Sequence, residues 1–200
     1  MINIGILNKG PKFNWGKNFG YWYNVKFFKN ELRELGYNIE FYDDMSHKFY
    51  DSDLIIIDTR SLSDSLKNKI KRKINFNIKN EYLENINKIS DFNKNIIWLD
   101  LSDSSGTTSF EVLPYVKKYV KKQFYIDKKL YRENFFRNRY YADYYQNKFS
   151  VEEKYKFDVC PLSKQFEDKL VLGWNIGVGN YFDVFNFHKS RKYYCIFNVI

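Results

Sequence analysis

The chain has 200 residues, of which 28% are charged and 20% aromatic, and its formal net charge is +9. This supply of large apolar side chains excludes an intrinsically disordered chain and suffices for one substantial core. Two cysteines without a CxxC pair indicate neither a disulfide framework nor a metal site. Without a basic leader or a run of roughly 20 apolar residues, the sequence predicts a soluble, cytoplasmic protein.

Short apolar runs alternate with amphipathic segments along the first half of the chain. Strands are predicted at residues 2–7, 38–44, 53–60 and 95–100, where branched apolar residues cluster. Apolar residues at three- and four-residue spacing predict an amphipathic helix over 21–37, closed by Gly36. Residues 61–92 indicate two surface helices.

This order of elements predicts an α/β fold, a Rossmann-like three-layer sandwich with a largely parallel sheet. Further along, residues 114–129 fit a helix or a strand, 130–149 indicate an aromatic helix, and 168–175 another strand. No repeat or Pro/Gly/Ser linker divides the chain. We therefore expect one domain over 1–182, followed by a tail or the start of a linker at 183–200.

Ligands of open α/β sheets bind beyond the carboxyl ends of the strands, and two loops there attract attention. The first, residues 8–20 after the first strand, contains glycines without the GxGxxG spacing of a dinucleotide site. It could therefore contact a bulky substrate or be an ordinary connecting loop. The second, a Ser/Gly/Thr turn after the fourth strand, matches no phosphate loop and fits a helix-capping turn equally well. The predicted substrate-binding residues are Asn8, Gly10, Gly16, Asn18, Gly20, Asp100, Asp103, Ser104, Ser105, Gly106 and Thr107.

No catalytic or metal-binding residue is predicted. Asp43-Asp44 and Thr59-Arg60 follow the second and third strands and fit turns as well as ligand contacts. His47 and His188 stand alone, without the arrangement of a nucleophile and its base.

Residues 112–148 carry ten Lys or Arg and three acidic residues, which is a net +7, with eleven aromatic residues interleaved. Such a pattern is typical of a groove for single-stranded nucleic acid. It is equally typical of a surface on anionic lipid. It also fits a solvated face over an aromatic core, and the Lys- and Asn-rich composition of the whole chain inflates the charge without functional pressure.

Three segments of the second half occur in a characteristic order over about residues 94–182: DLSDSSGTTSFEVLPYVKKYVKKQFYIDKKLY, RNRYYADYYQNKFSVEE and LVLGWNIGVGNY. Together they resemble bacterial glycosyltransferases of surface polysaccharide synthesis. Those enzymes carry a D-S-D-S-S-G turn, an LPYVD-Y-KKQ segment, a TDYYH segment and an SWN-GLGDY segment in this order. The chain departs from that pattern at Lys117, where an Asp is expected, and at Gln146, where a His is expected.

The resemblance implies the GT-B architecture, with one Rossmann-like domain facing the acceptor and a second holding the nucleotide-sugar. Because 200 residues match only the first, we expect the acceptor-side half of a hexosyl-transferring enzyme, inactive without a donor-binding domain. The implied partners are an acceptor glycan or lipid-linked sugar and a donor-binding domain. From its basic and aromatic composition, the segment 112–148 is also expected to touch the inner membrane face. No cofactor is expected in this chain, since the nucleotide-sugar would enter with the second domain. The alternative is a non-enzymatic, basic and aromatic nucleic-acid-binding module.

Overall fold

Six parallel strands in the order β2-β1-β3-β4-β5-β6 form the sheet of this computed structural model. The structure describes residues 1–8, 20–62, 81–133, 135, 140–150 and 160–173. The strands are β1 (Ile2–Leu7), β2 (Tyr37–Tyr42), β3 (Leu54–Asp58), β4 (Ile96–Asp100), β5 (Lys118–Lys121) and β6 (Leu170–Leu172). The predicted α/β, Rossmann-like fold is confirmed, and every described strand is parallel to its neighbours.

Five α-helices accompany the sheet: α1 (Gly20–Phe27), α2 (Lys29–Glu34), α3 (His47–Tyr50), α4 (Glu81–Phe92) and α5 (Tyr140–Phe149). These are the α-helices of the described ranges only. Short 3₁₀ turns cover Phe110–Tyr115, Lys128–Arg132 and Lys164–Lys169. None of the helices in the described ranges has both the length and the apolar character needed to span a bilayer.

The sheet is apolar on both faces, which explains why its strands are continuous hydrophobic runs. Ile57 and Trp98 belong to a core cluster with the buried residues of α4. Leu99, the next residue after Trp98, belongs to a second cluster with Trp22 of α1. Neighbouring residues of a strand thus enter different cores, as the two-residue period of a strand requires.

The helix predicted over 21–37 is two helices, because the backbone at Phe28 leaves helical geometry at φ −92° and ψ 26°. Trp22 lies in the core, whereas Leu35 is exposed, so the predicted apolar stripe is only partly buried. Gly36 follows α2 with a φ of +92°, a left-handed conformation in which glycine ends helices without strain.

The remaining predictions have mixed outcomes. One of the two helices expected within 61–92 is α4, and the other falls mainly outside the described residues. The ambiguous segment 114–129 contains β5, with 3₁₀ turns before and after it. Within 130–149 the described α-helix begins only at Tyr140, and β6 lies inside the predicted strand at 168–175. The proposed boundary at 182 lies outside the described residues.

Gly5 of β1 allows α3 and the turn after it to approach the sheet closely. A Cβ at this position would lie 2.4 Å from Ser52 Oγ and 3.1 Å from Ser52 Cβ. We therefore expect Gly5→Ala to lower the free energy of unfolding by about 1–3 kcal/mol, the usual cost of overpacking. In that background Ser52→Ala should recover part of the loss, because it removes the closer atom. Urea titrations of the four proteins of this double-mutant cycle measure the coupling, and a Gly5→Ala protein as stable as the native chain would contradict it.

Candidate functional site

Three neighbouring strands each end in an ionisable side chain that is completely buried: Asp58 of β3, Asp100 of β4 and Lys121 of β5. Asp100 is the register partner of Lys121, so the two side chains share one face of the sheet. Asp58 is the register partner of Leu99, which places it on the opposite face, towards Trp22. The two carboxylates therefore do not form a pair, although their strands are adjacent.

Asp58 is an anchor for the turn after β3. Its Oδ1 accepts hydrogen bonds from the backbone N–H groups of Arg60 and Ser61, both at 2.8 Å, and from the Ser61 hydroxyl at 3.0 Å. Its Oδ2 accepts from Trp22 Nε1 at 3.1 Å. Four hydrogen-bond donors surround this buried carboxylate and compensate its charge. Its role is therefore structural.

Asp100, Tyr119 and Lys121 form a buried network that we call the strand-end clamp. Lys121 Nζ donates to Asp100 Oδ2 at 3.0 Å, and the Tyr119 hydroxyl donates to the same oxygen. The clamp also holds the backbone of the loop 102–109. Lys121 donates to the Thr107 carbonyl at 2.9 Å, while Asp100 accepts from Ser102 N–H at 2.8 Å. The Tyr119 oxygen accepts from the N–H of Ser109 at 3.0 Å.

Burial shifts the pKa values of two members of the clamp, Tyr119 and Lys121. It raises the pKa of Tyr119 well above its ordinary value, and the negative charge of Asp100 acts in the same direction. Tyr119 is therefore a neutral donor at physiological pH. Burial lowers the pKa of Lys121, an effect that the charge of Asp100 opposes. The ammonium group depends on its carboxylate partner, since an isolated buried charge is strongly disfavoured.

Residues that follow β5 hold the same loop from its other side. The Tyr131 hydroxyl donates to the Ser105 carbonyl at 2.8 Å and accepts from Tyr125 N–H at 3.0 Å. The Gln123 amide donates to the carbonyl of Asp103. Burial raises the pKa of Tyr131 to about 12, so this hydroxyl stays protonated far above neutral pH.

The loop 102–109 and the side chains beside it line an open cleft of about 530 Å³ at the carboxyl edge of the sheet. Its lining offers hydroxyl, amide and carboxylate groups together with two aromatic rings, from Ser102, Asp103, Ser104, Ser105, Thr107, Gln123, Tyr125 and Tyr141. Asp103 is the carboxylate of this lining, and its side chain is 91% exposed. A hydrogen bond from Lys122, reinforced by the charge of that lysine, lowers the pKa of Asp103, so it is an ionised acceptor at neutral pH.

The structure brings together only part of the predicted substrate-binding set. Asp103, Ser104, Ser105 and Thr107 line the cleft, and Gly106 is buried in the same loop. Asp100 requires a correction, because it is completely buried beneath the loop and holds Lys121 instead of presenting a carboxylate to a ligand.

The predicted residues of the first loop lie elsewhere. Asn8 follows β1, where its N–H donates to the Tyr42 carbonyl at 2.8 Å, and Gly20 begins α1. Neither belongs to the cleft lining. Gly10, Gly16 and Asn18 lie outside the described residues.

The turn at 103–107 does not cap a helix. The 3₁₀ turn that follows begins after Ser109, and the side chain of Asp103 bonds to Lys122 instead.

Sequence reasoning missed several contributors, namely Tyr119, Lys121, Gln123, Tyr125 and Tyr141. All five belong to the basic, aromatic segment 112–148, in which Lys121 contributes to the charge, the three tyrosines to the aromatic content, and Gln123 to neither. A signal was present in the alternation of Tyr119 and Lys121. Once 118–121 is taken as a strand, that alternation puts both side chains on one face.

Much of the positive charge of 112–148 is engaged within the chain. Lys121 pairs with Asp100, Lys122 with Asp103, and Arg132 with Glu167. Two further lysines, Lys117 and Lys118, donate to Asn95 Oδ1 and to the Asp168 carbonyl. The three carboxylate pairs offset part of the positive charge of the segment, whereas Lys117 and Lys118 bond to neutral oxygens and keep their charge.

No protein-family model, curated protein or solved structure matches this chain. Within the described ranges, no group of three or more His, Cys, Asp and Glu side chains is arranged to hold a metal ion.

The clamp predicts that substitution of Lys121 lowers the stability of the protein far more than substitution of the adjacent Lys122. Lys121→Met leaves the Asp100 carboxylate buried without its counter-charge, so we expect the free energy of unfolding to fall by about 3–5 kcal/mol. Lys122→Met is the matched control, because its partner Asp103 is exposed, and it should cost at most about 1 kcal/mol. Urea denaturation followed by circular dichroism measures both. Equal losses for the two variants would show that the Lys121–Asp100 pair does not hold the site.

Tyr131 predicts an alkaline loss of stability. Its pKa is about 12 in the folded chain and near 10.0 when exposed, so between these values the folded state binds more protons than the unfolded state. Stability from this group is therefore complete below pH 10 and declines as pH rises towards 12, by up to about 1.4 kcal/mol per pH unit. Tyr119 adds a decline of the same sign.

Tyr131→Phe should be less stable at pH 8 by about 1–2 kcal/mol, through lost hydrogen bonds. Its further loss between pH 8 and pH 11 should be smaller than that of the native chain. Unfolding free energies at the two pH values test this, and parallel pH profiles would exclude a protonated, buried Tyr131 as a source of stability.

Proposed function

We propose that the cleft binds a carbohydrate, and that the chain is the acceptor-side domain of a glycosyltransferase of surface polysaccharide or glycoconjugate synthesis. The observation that carries the proposal is the chemistry of the cleft. Its lining combines small hydroxyl groups, an amide, an ionised carboxylate and two tyrosine rings, and none of the lining residues that the structure describes is a lysine or an arginine.

These groups match the surface of a sugar. Carbohydrate hydroxyls donate and accept hydrogen bonds, for which Ser104, Thr107 and the carboxylate of Asp103 offer partners. A pyranose ring also has an apolar face of C–H groups, and the electron-rich faces of Tyr125 and Tyr141 are suited to pack against it. The volume of about 530 Å³ is in the ordinary range for a small-molecule site.

The position of the resembling segments gives further support. The D-S-S-G turn supplies cleft residues from Asp103 onward, and the KKQ tripeptide 121–123 supplies the side chains that hold that turn. The Y-A-D-Y-Y segment lies in α5, which contributes Tyr141. Segments that are distant in the sequence therefore meet at one edge of the sheet, where a shared binding role would require them.

One of the two departures from the family pattern lies away from the cleft. Lys117 precedes β5 at the amino edge of the sheet, where its Nζ donates to Asn95 Oδ1 at 3.0 Å. A lysine in place of the expected aspartate there leaves the cleft lining unchanged. The other departure, Gln146, is half-buried on α5 and is not part of the lining.

Sugar transfer itself would need a second domain for the nucleotide-sugar. The cleft carboxylate of Asp103 has a lowered pKa, so it is suited to accept a hydrogen bond from an acceptor hydroxyl and is a weak base. We therefore propose acceptor binding by this chain alone and transfer only in the presence of a donor-binding domain. The nucleic-acid alternative has less support, because the charges of Lys121, Lys122 and Arg132 are paired with carboxylates within the chain.

Ligand-detected NMR with a panel of mono- to hexasaccharides tests carbohydrate binding. We expect Asp103→Asn and Tyr141→Ala each to weaken binding about 5- to 30-fold, the effect of losing about 1–2 kcal/mol of contact energy. Matched controls are Asp44→Asn, after β2, and Tyr145→Ala, one turn further along α5 and outside the lining. Panel-wide absence of saturation transfer, or equal losses in variants and controls, would contradict the proposed site.

Two further measurements separate the alternatives. Transfer from a nucleotide-sugar by the purified 200-residue chain would overturn the division of labour between two domains. Sub-micromolar binding of single-stranded DNA or RNA at low salt, with a steep loss as salt rises, would favour the nucleic-acid module instead.

A further inference from the structure

Helix α5 presents an aromatic surface that is about half exposed. None of its ten residues is buried. Five aromatic side chains are between 48% and 58% exposed: Tyr140, Tyr141, Tyr144, Tyr145 and Phe149. The half-buried positions Ala142, Asp143 and Gln146 mark the side of the helix that faces the protein. The aromatic side chains lie on the other half of the helix surface, where Tyr141 borders the cleft.

This surface is large for an exposed apolar patch. An aromatic side chain buries about 150–250 Å² when it is fully covered, so five that are half exposed leave on the order of 500 Å² available. Patches of that size on soluble proteins commonly mark contact sites. Tyr145 and Phe149 stack with ring centroids 5.8 Å apart, and Tyr144 meets Tyr145 edge to face at 5.4 Å, so three rings of the surface are in contact along the helix.

An exposed aliphatic side chain lies in a segment that contacts the start of α5. Ile126 is fully exposed in the segment between β5 and the following 3₁₀ turn. The preceding residue is tied to the start of α5, because the Tyr125 hydroxyl accepts a hydrogen bond from Tyr140 N–H at 3.3 Å. We call Ile126 and the five aromatic residues the α5 patch.

Positive charge accompanies the α5 patch. Lys148 Nζ donates to the Tyr144 hydroxyl at 2.8 Å and lies 5.5 Å from the ring centroid of Phe149, so a cation sits among the exposed rings. Lys128 and Lys129 closely follow Ile126. The nearby carboxylate of Asp127 accepts from the backbone N–H of Lys129, while Asp143 lies on the half-buried side of α5.

We propose that the α5 patch is a contact surface for a membrane whose headgroups are anionic. Tyrosine suits the water–lipid interface because its ring is apolar and its hydroxyl remains in the hydrated layer. Lysines beside the rings complement negatively charged headgroups. Ile126 favours lipid over nucleic acid or sugar, since a projecting aliphatic group gains from apolar burial and offers nothing to hydrogen bonding or base stacking. The proposal does not rest on carbohydrate binding in the cleft.

Co-sedimentation with vesicles tests the contact. The full chain is mixed with 100-nm vesicles of phosphatidylcholine alone, or with vesicles in which about 30% of the lipid is phosphatidylserine. We expect binding to the anionic vesicles, weaker binding to the neutral ones, and a decrease as salt rises, because screening weakens the attraction between lysine and headgroup. A native chain that stays in the supernatant with anionic vesicles would overturn the proposal.

The triple variant Tyr144→Gln, Tyr145→Gln, Phe149→Gln removes outward rings from a helix without buried side chains, so the fold should be retained. It leaves Tyr141 intact, because that residue also lines the cleft. We expect at least a tenfold loss of partitioning. Phe92→Gln is the matched control, because Phe92 is 71% exposed at the end of α4, on the opposite edge of the sheet, and it should bind within twofold of the native chain.

Two single variants keep the test decisive if the triple variant loses its fold. Ile126→Asp changes a fully exposed side chain and should weaken binding to both kinds of vesicle. Lys148→Gln should weaken binding about fivefold on anionic vesicles only, as for one lysine at a charged surface. Native-like partitioning of both variants would overturn the proposal. So would single-stranded DNA binding that the same substitutions abolish while vesicle binding persists.

Discussion

The ion pair between Asp100 and Lys121 is the interaction on which the carboxyl edge of the sheet depends. Both side chains are completely buried, and their attraction has to offset a desolvation cost of several kcal/mol for each charge. The offset succeeds because neither group relies on the other alone. Asp100 also accepts from Tyr119 and from Ser102 N–H, and Lys121 also donates to the Thr107 carbonyl. A fully satisfied polar network of this kind specifies one arrangement of the loop above it.

The strands β1 to β4 could be predicted from the sequence because both faces of the sheet are covered. Under that condition each strand becomes an unbroken apolar run, such as the three isoleucines of β3. The helix over 21–37 was harder, since its apolar spacing continues through Phe28 although the backbone does not. Strand β5 was ambiguous because half of its four residues are lysines, which a short window assigns to a surface.

The candidate site shows where sequence reasoning stops. A carboxylate at the end of a strand was expected to face a ligand, and for Asp103 in the following loop the structure does place it in the cleft. For Asp100 the outcome depends on Lys121, which lies 21 residues further along the chain. Only the register between β4 and β5 reveals that these residues meet. In the same way, Asp58 and Asp100 lie on opposite faces of the sheet because of the register of β3 against β4. The sequence of either strand alone does not give this register.

The loop 102–109 is held largely by its main chain. Its supports bind the carbonyl groups of Asp103, Ser105 and Thr107 and the N–H groups of Ser102 and Ser109. Main-chain groups are the same for nearly every residue type, so the shape of the loop is largely independent of the side chains that it displays. The cleft is thus an evolvable template. The side chains that line it can change by point substitution while the supporting framework stays constant.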